Sequence, residues 1–321
     1  MVAARTRPLK IGLLLPHWEG ALDGATPTWA DIVAIARETE AVGFDSLWVV
    51  DHLLFRRDEM MEHFDLPVPP ALAGLPPLGC WEGWSVLAAV AATTTRVELG
   101  TLVACSGYRN PALLAKMAET LDEISGGRLI LGLGTGDSVF EHHTFGYPSD
   151  HRVGRFEEAL AILRPLLRDG RADFTGVYHR ARECELRPRG PRRAGPPIVI
   201  AGTGERMLRL TARYADGWNG WLAYGRSQPD VLPPLREKVD AACEAVGRDP
   251  ATLSRSVGAR VSMLGRTVPG AEPLTGSVHE IAAGLLAFAG EGVTHLQVAL
   301  APSTLAGIAA FAPVLELLDQ D

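Results

Sequence analysis

Residues 10–20 read Lys-Ile-Gly-Leu-Leu-Leu-Pro-His-Trp-Glu-Gly. Ile11 to Leu15 is an apolar run of strand length, and it closes on Pro16-His17-Trp18-Glu19-Gly20. An open dinucleotide-binding sheet needs G-x-G-x-x-G directly after its first strand, because those glycines let the backbone approach a pyrophosphate. That turn is missing here. Further apolar runs follow at Ser46–Val50, Val97–Val103, Arg128–Leu133, Pro197–Ala201, Gly217–Gly220, Ser256–Leu264 and His295–Leu300. They are near-continuous rather than alternating, as strands buried on both faces should be. Amphipathic stretches separate them. Ile32, Ile35, Ala36 and Thr39 share one helical face, and Leu113, Met117, Leu121 and Ile124 share another. Asn110-Pro111 and Asp249-Pro250 read as helix starts. Eight strand–helix units with no long linker predict one α/β domain over residues 1–321, a closed (β/α)8 TIM barrel. Residues 170–196, rich in Arg, Gly and Pro, break the rhythm and hold only a short Phe174–Tyr178 strand signal. They predict an inserted hairpin and loop near the barrel mouth.

Composition agrees with a folded chain rather than a disordered one. At 47% hydrophobic and 21% charged residues, the chain can bury a sizeable core. A net charge of -7 argues against a nucleic-acid or membrane-surface partner, and the cluster Arg187, Arg189, Arg192 and Arg193 reads as a solvated loop. Cys80, Cys105, Cys184 and Cys243 have no metal-type spacing, which suits reduced thiols in the cytoplasm. The basic start, Met1 to Lys10, precedes an apolar run too short for a signal-peptide core. Val298 to Leu315 carries no charge and touches the roughly 18-residue threshold for a membrane span. Pro302 and Pro313 interrupt it, so the expectation is a buried strand, a loop and a helix.

In such barrels the chemistry sits where strands end. Residues just past the strands are His17 and Glu19, then Asp51-His52, then Ser106, Tyr108 and Arg109. Thr135, Asp137 and Ser138 follow the fourth run, and Gly202-Thr203-Gly204-Glu205 the fifth. Asp51-His52 stands out, since a histidine beside a carboxylate is poised for proton transfer near neutral pH. Gly202-Thr203-Gly204 opens a helix directly after a strand, so free N–H groups there can face a phosphate or a flavin carbonyl. Both have ordinary structural readings, a helix-start Asp with a packing His and a tight glycine turn. Glu141, His142, His143, Asp137 and His151 lie close in sequence. No metal site is expected, because adjacent helical histidines point about 100° apart. The tryptophans Trp81, Trp84, Trp218 and Trp221 read as core or pocket wall.

Several blocks together resemble the luciferase-like monooxygenase superfamily: Asp45–His52, Gly100–Val103, Arg109–Ala112, Gly126–Gly136, Arg155–Leu160 and Arg213–Trp218. The likeness is strongest to its branch using coenzyme F420, a deazaflavin. That resemblance implies Asp51 and His52 at the cofactor ring, with His52 as proton acceptor or donor and Asp137 where the sugar-phosphate dehydrogenases carry a glutamate acid. It further implies a non-prolyl cis peptide at Leu102-Val103 against the ring, Thr135 and Gly136 at the cofactor, and Thr203 and Gly204 along its phosphate-side chain or ring edge. A homodimer acting on a small-molecule organic substrate is expected by the same likeness.

Departures from the sugar-phosphate pattern fall at Arg56, Phe140 and Tyr224. Those dehydrogenases have a pocket tryptophan, a cofactor-pocket asparagine and a phosphate-binding lysine there. Only Lys10, Lys116 and Lys238 are lysines in this chain. The pocket is expected to be more apolar and aromatic, and glucose-6-phosphate an unsuitable substrate. Two other functions stay open: a monooxygenase using reduced FMN and O2 on an apolar substrate, and a non-catalytic flavin-binding barrel. A deazaflavin does not readily form the oxygen adduct, because carbon replaces the ring nitrogen N5.

Overall fold

The computed structural model describes residues 7–320. The basic start read above therefore lies largely outside the described residues. Eight parallel strands run in order around a closed barrel. They are β1 (Lys10–Leu14), β2 (Ser46–Val49), β3 (Glu98–Thr101), β4 (Leu129–Gly134), β5 (Ile198–Ala201), β6 (Gly217–Trp221), β7 (Ser254–Ser262) and β8 (His295–Ala301). Closure is made by β8 on β1, with Lys10 opposite His295 and Leu13 opposite Val298. Between β4 and β5, Ile198 stands opposite Leu131. Closure leaves no exposed edge among these strands.

Helices α1 (Trp29–Val42), α2 (Arg57–His63), α3 (Gly83–Thr93), α4 (Pro111–Ser125), α5 (Val139–Phe145) and α6 (Arg152–Asp169) belong to the first half. The second half adds α7 (Glu205–Tyr214), α8 (Pro233–Glu244), α9 (Val278–Gly290) and α10 (Leu305–Leu318). The caps explain several boundaries. Thr28 and Asp31 form a reciprocal capping box at α1, and Asn110 accepts from the amides of Ala112 and Leu113 at α4.

Five expectations need correction. The third apolar run does not stay in the sheet to Val103. Its ladder stops at Thr101, bulges at the cis Leu102-Val103 bond, and resumes as Ala104–Cys105 beside Leu133 and Gly134. Gly132 and Gly134 make room for this bulge. A Cβ at Gly132 would lie 2.0 Å from the Thr101 carbonyl oxygen, and one at Gly134 would lie 2.7 Å from Val103 Cγ2. Asp249 caps only a short 3-10 turn (Pro250–Thr252), because β7 begins directly afterwards. Pro313 does not interrupt the final helix but lies inside it, whereas Pro302 does follow the strand end.

The inward face of α4 is Leu114, Ala115, Ala118 and Leu121, whose two alanines allow close approach to the sheet. Of the expected face only Leu121 is buried and Met117 partly so, whereas Leu113 and Ile124, 53% and 46% exposed, stand on the outer side. The 170–196 insertion is a hairpin (Arg171–Thr175 with Arg180–Glu185), and its tip reaches the start of α6, where Glu158 accepts from the amides of Val177, Tyr178 and His179. Its arginine loop is not at the mouth. Arg192 binds Asp122 and the Leu129 carbonyl at the opposite end, where α4 stops and β4 starts. No helix among the described residues is long and apolar enough to cross a membrane.

Candidate functional site

At the carboxyl ends of the strands lies a cavity of about 470 Å³. Its walls come from five of the eight strand ends, and its roof from an excursion between β2 and α3. In that excursion Leu54–Phe55 pairs with Leu78–Gly79. The stretch from α2 to Asp65 supplies Met60, His63, Phe64 and Asp65 to the cavity.

His52 follows β2 and is mostly buried. Its Nδ1 lies 2.7 Å from Glu141 Oε2, and its Nε2 lies 4.0 Å from Asp137 Oδ1. Glu141 reaches it from α5, whose first turn is held by Ser138, which accepts from the Glu141 amide at 3.1 Å. The Glu141 carboxylate is fully buried, yet every side of it is used. It also accepts from the amides of Leu53 and Leu54 at 2.6 and 2.8 Å and from the Tyr108 hydroxyl at 3.2 Å. Burial would raise its pKa, but His52 and these amides outweigh burial and hold it below the usual range. Burial alone would likewise push the His52 imidazole down. The negative charge of Asp137 and the hydrogen bond the ring donates to Glu141 prevail and raise it to about 9. With Glu141 holding Nδ1, the other ring nitrogen is presented toward Asp137 and the cavity.

Asp51 borders the same cavity, but both its oxygens are occupied. Arg109 donates to them at 2.6 and 2.9 Å, and the Cys105 amide donates at 2.8 Å. Arg109 continues to Glu82 at 2.7 Å, at the start of α3. Asp51 therefore ties the segment after β3 to the end of β2 and sets where Leu102 and Val103 stand. Leu102, Val103, Thr135, Gly136, Thr203 and Gly204 all line the cavity. Gly136 has φ +77°, and its carbonyl accepts from Arg152 Nη1 at 2.9 Å. Gly204 begins α7 without a side-chain cap, leaving the first amides of that helix without an acceptor from the cap residue.

Other strand-end residues serve structure. His17 is fully buried, and its two ring nitrogens lie 2.9 Å from the Leu15 and 3.2 Å from the Val50 carbonyl oxygens. Glu19 accepts from the Gly79 amide at 2.7 Å and so braces the excursion. His142 and His143 diverge. Nδ1 of buried His142 lies 2.8 Å from the Ser138 carbonyl, while exposed His143 faces Ser149. The one metal-type group among the described residues, His52, Asp137 and Glu141, has its ligand-type atoms within 4.8 Å of one another. Those same atoms form the His52 hydrogen bond and ion pair.

Sequence reading missed the role of Glu141, which it weighed only as a metal ligand, and the whole roof. It also missed that two departure positions meet, the Arg56 guanidinium standing 5.3 Å over the Phe140 ring. Tyr224 packs against Phe64 and Trp221, at 5.5 and 5.6 Å between ring centroids.

The family profile described as Luciferase-like monooxygenase matches residues 9–266. The chain belongs to the luciferase-like monooxygenase family. One relative in this family is an F420-dependent hydroxymycolic acid dehydrogenase of Mycobacterium tuberculosis, 33% identical over 251 residues. That match covers 76% of this chain and 60% of the relative. Another is the pyrimidine monooxygenase RutA of Stutzerimonas stutzeri, 33% identical over 172 residues, covering 52% of this chain and 47% of the relative. The chain thus spans about half to three-fifths of the length of these relatives. A solved F420-dependent secondary alcohol dehydrogenase, in complex with an F420-acetone adduct, has a TM-score of 0.74 at 19% identity. It aligns over 97% of this luciferase-like chain and 99% of its own, a likeness of fold alone.

Proposed function

We propose that this luciferase-like chain is an oxidoreductase that exchanges hydride between coenzyme F420 and a small organic substrate. The observation that carries this reading is His52, held at Nδ1 by buried Glu141 and turned by its other nitrogen toward Asp137 at the cavity. A histidine kept protonated to about pH 9 is suited to giving a proton to a substrate oxygen or carbon at neutral pH.

The cavity suits the cofactor on its own geometry. Its volume is within the range of cofactor pockets, and glycines at 132 and 134 let Leu102 and Val103 press inward as one wall. The uncapped start of α7 at Gly204 offers backbone N–H groups and the positive end of a helix dipole to an anionic side chain. When bound, F420 supplies the two-electron carrier. Leu102, Val103, Thr135 and Gly136 would hold its ring, and Thr203 and Gly204 its phosphate-bearing chain. Asp51 holds that wall in place through Arg109, and His52 moves the proton with Asp137 beside it. The roof residues Met60 and Phe64 exclude water.

The resemblance to a pyrimidine monooxygenase supports a second reading, reduced FMN with O2. A fluorescence titration with F420 and with FMN, each oxidised and reduced, separates the two. Micromolar binding of F420 alone is expected. Preference for FMN together with oxygen uptake would move the chain to the monooxygenase reading, and binding of neither would remove both. With substrate in hand, His52→Ala is expected to slow hydride transfer at least a hundredfold. An unchanged rate would overturn its assignment.

A further inference from the structure

The roof and α5 hold each other through two carboxylates that cross in opposite directions. Glu141 of α5 accepts from the Leu53 and Leu54 amides at the start of the roof. Glu59, part-buried in the first turn of α2, reaches back to the start of α5. Its Oε2 accepts from the Ser138 hydroxyl at 2.8 Å, and its Oε1 from the Phe140 amide at 3.1 Å. The seven residues of α5 are too few to hold a helix without tertiary support. Ser138 caps the Glu141 amide, and the Phe140 amide, another open donor of that first turn, is taken by Glu59. A hydroxyl hydrogen turns to suit its acceptor. With that hydrogen given to Glu59, the Ser138 oxygen is free to accept from Glu141. The Arg56 guanidinium over the Phe140 ring joins the same two segments again.

Glu141 in turn holds His52 Nδ1 at 2.7 Å, so the series Glu59, Ser138, Glu141, His52 runs unbroken from the roof to the cavity. Asp137, the other carboxylate close to the ring, directly precedes Ser138. Asp51 and, on the β1 side, His17 also face His52. Both are anchored elsewhere, Asp51 by Arg109 and the Cys105 amide, His17 between the Leu15 and Val50 carbonyls. At its far end α2 leads to Phe64, which packs on Tyr224 after β6. The helix fastened by Glu59 therefore spans the opening from the α5 side to the β6 side.

We infer that Glu59 is a positioning residue: through Ser138 and Glu141 it makes closure of the roof and the placing of His52 beside Asp137 a single event. This rests on the oxidoreductase reading for the reaction, but its test does not need turnover. The full chain is isotope-labelled at its histidines and titrated by NMR, the His52 signal being identified by its loss in His52→Asn. Glu59→Gln keeps the size of the side chain but exchanges one acceptor oxygen for a donor, so either Ser138 or Phe140 loses its acceptor. His52 is expected to release its proton near pH 9 in the unmodified chain. In Glu59→Gln that release should come at least about one pH unit lower. The amides of Leu53, Leu54 and Phe140 should also exchange at least about tenfold faster. In a Glu141→Gln background the same substitution should move His52 less than about half as far, because the route is already cut. An unchanged His52 titration in folded Glu59→Gln, even with a lower melting temperature, would overturn the role and leave only a structural brace. An equal shift in the Glu141→Gln background would overturn the route through Glu141. If Glu59→Gln does not fold, Ser138→Ala, which spares both carboxylates, decides in its place by the same shift or its absence. A parallel F420 titration keeps the two readings apart, because a coupled His52 without F420 binding leaves the positioning role and removes the proposed cofactor.

Discussion

His52 Nδ1 and Glu141 Oε2 lie 2.7 Å apart although the residues are 89 positions apart in the chain. The contact fixes which nitrogen faces the cavity and helps keep the ring charged. In Glu141→Gln the ring loses the charge of one of the three carboxylates, Asp137, Glu141 and Asp51, that raise its pKa. The proton-donating form, present in the unmodified protein up to about pH 9, should then be lost nearer neutrality. The alkaline limb of the pH–rate profile for kcat should move to lower pH, with kcat near pH 8 down roughly ten- to hundredfold and KM little changed. A profile that keeps its alkaline limb would show that Glu141 does not tune His52.

His295 at the start of β8 behaves in the opposite sense. Burial, with a smaller contribution from Lys10, lowers its pKa to about 3, and its Nε2 lies 2.7 Å from Ser46 Oγ inside the barrel. An unfolded histidine takes up a proton near pH 6.5. The stability that neutral His295 contributes is therefore present above that pH and is lost as pH falls from there toward 3, by about 1.4 kcal/mol per unit. Urea unfolding at pH 7, 5.5 and 4.5 should show a steeper acid loss in the unmodified chain than in His295→Gln. Parallel curves would assign the acid sensitivity elsewhere.

The bulge after β3 depends on Gly132. Gly132→Ala places a carbon against the Thr101 carbonyl oxygen, a backbone atom that cannot step aside. A loss of about 1–3 kcal/mol is expected in urea midpoints, together with weaker F420 binding because Leu102 and Val103 shift. Gly204→Ala meets nothing within 4 Å and serves as the comparison, its stability changing by less than about 1 kcal/mol.

Asp51→Asn removes the charge that Arg109 grips with both terminal nitrogens while keeping the shape. Glu82 remains as a partner, so the expected destabilisation is about 3 kcal/mol, read as a fall in melting temperature. F420 affinity should fall through displacement of the Leu102–Val103 wall. A variant with unchanged melting temperature but lost affinity would make Asp51 a direct cofactor ligand.

The barrel and its strand ends were legible in the sequence because both depend on local properties. An apolar run of five or six residues followed by an amphipathic stretch reports its own burial. The missing G-x-G-x-x-G after Leu15 was enough to set aside the open dinucleotide-binding sheet. Asp51, His52, Asp137, Thr203 and Gly204 were found by the same rule, as residues just past a strand. Two things lay beyond that rule. Glu141 sits on a helix behind the strand end and meets His52 only when β2 and β4 are brought together by β3 between them. The roof from α2 to Asp65 has no periodic pattern, since it packs through scattered residues such as Met60 and Phe64. Periodicity along the chain determined which segments are strands and which residues crowd the mouth. Which carboxylate holds His52 is a property of distances across the closed barrel, and only the tertiary structure decided it.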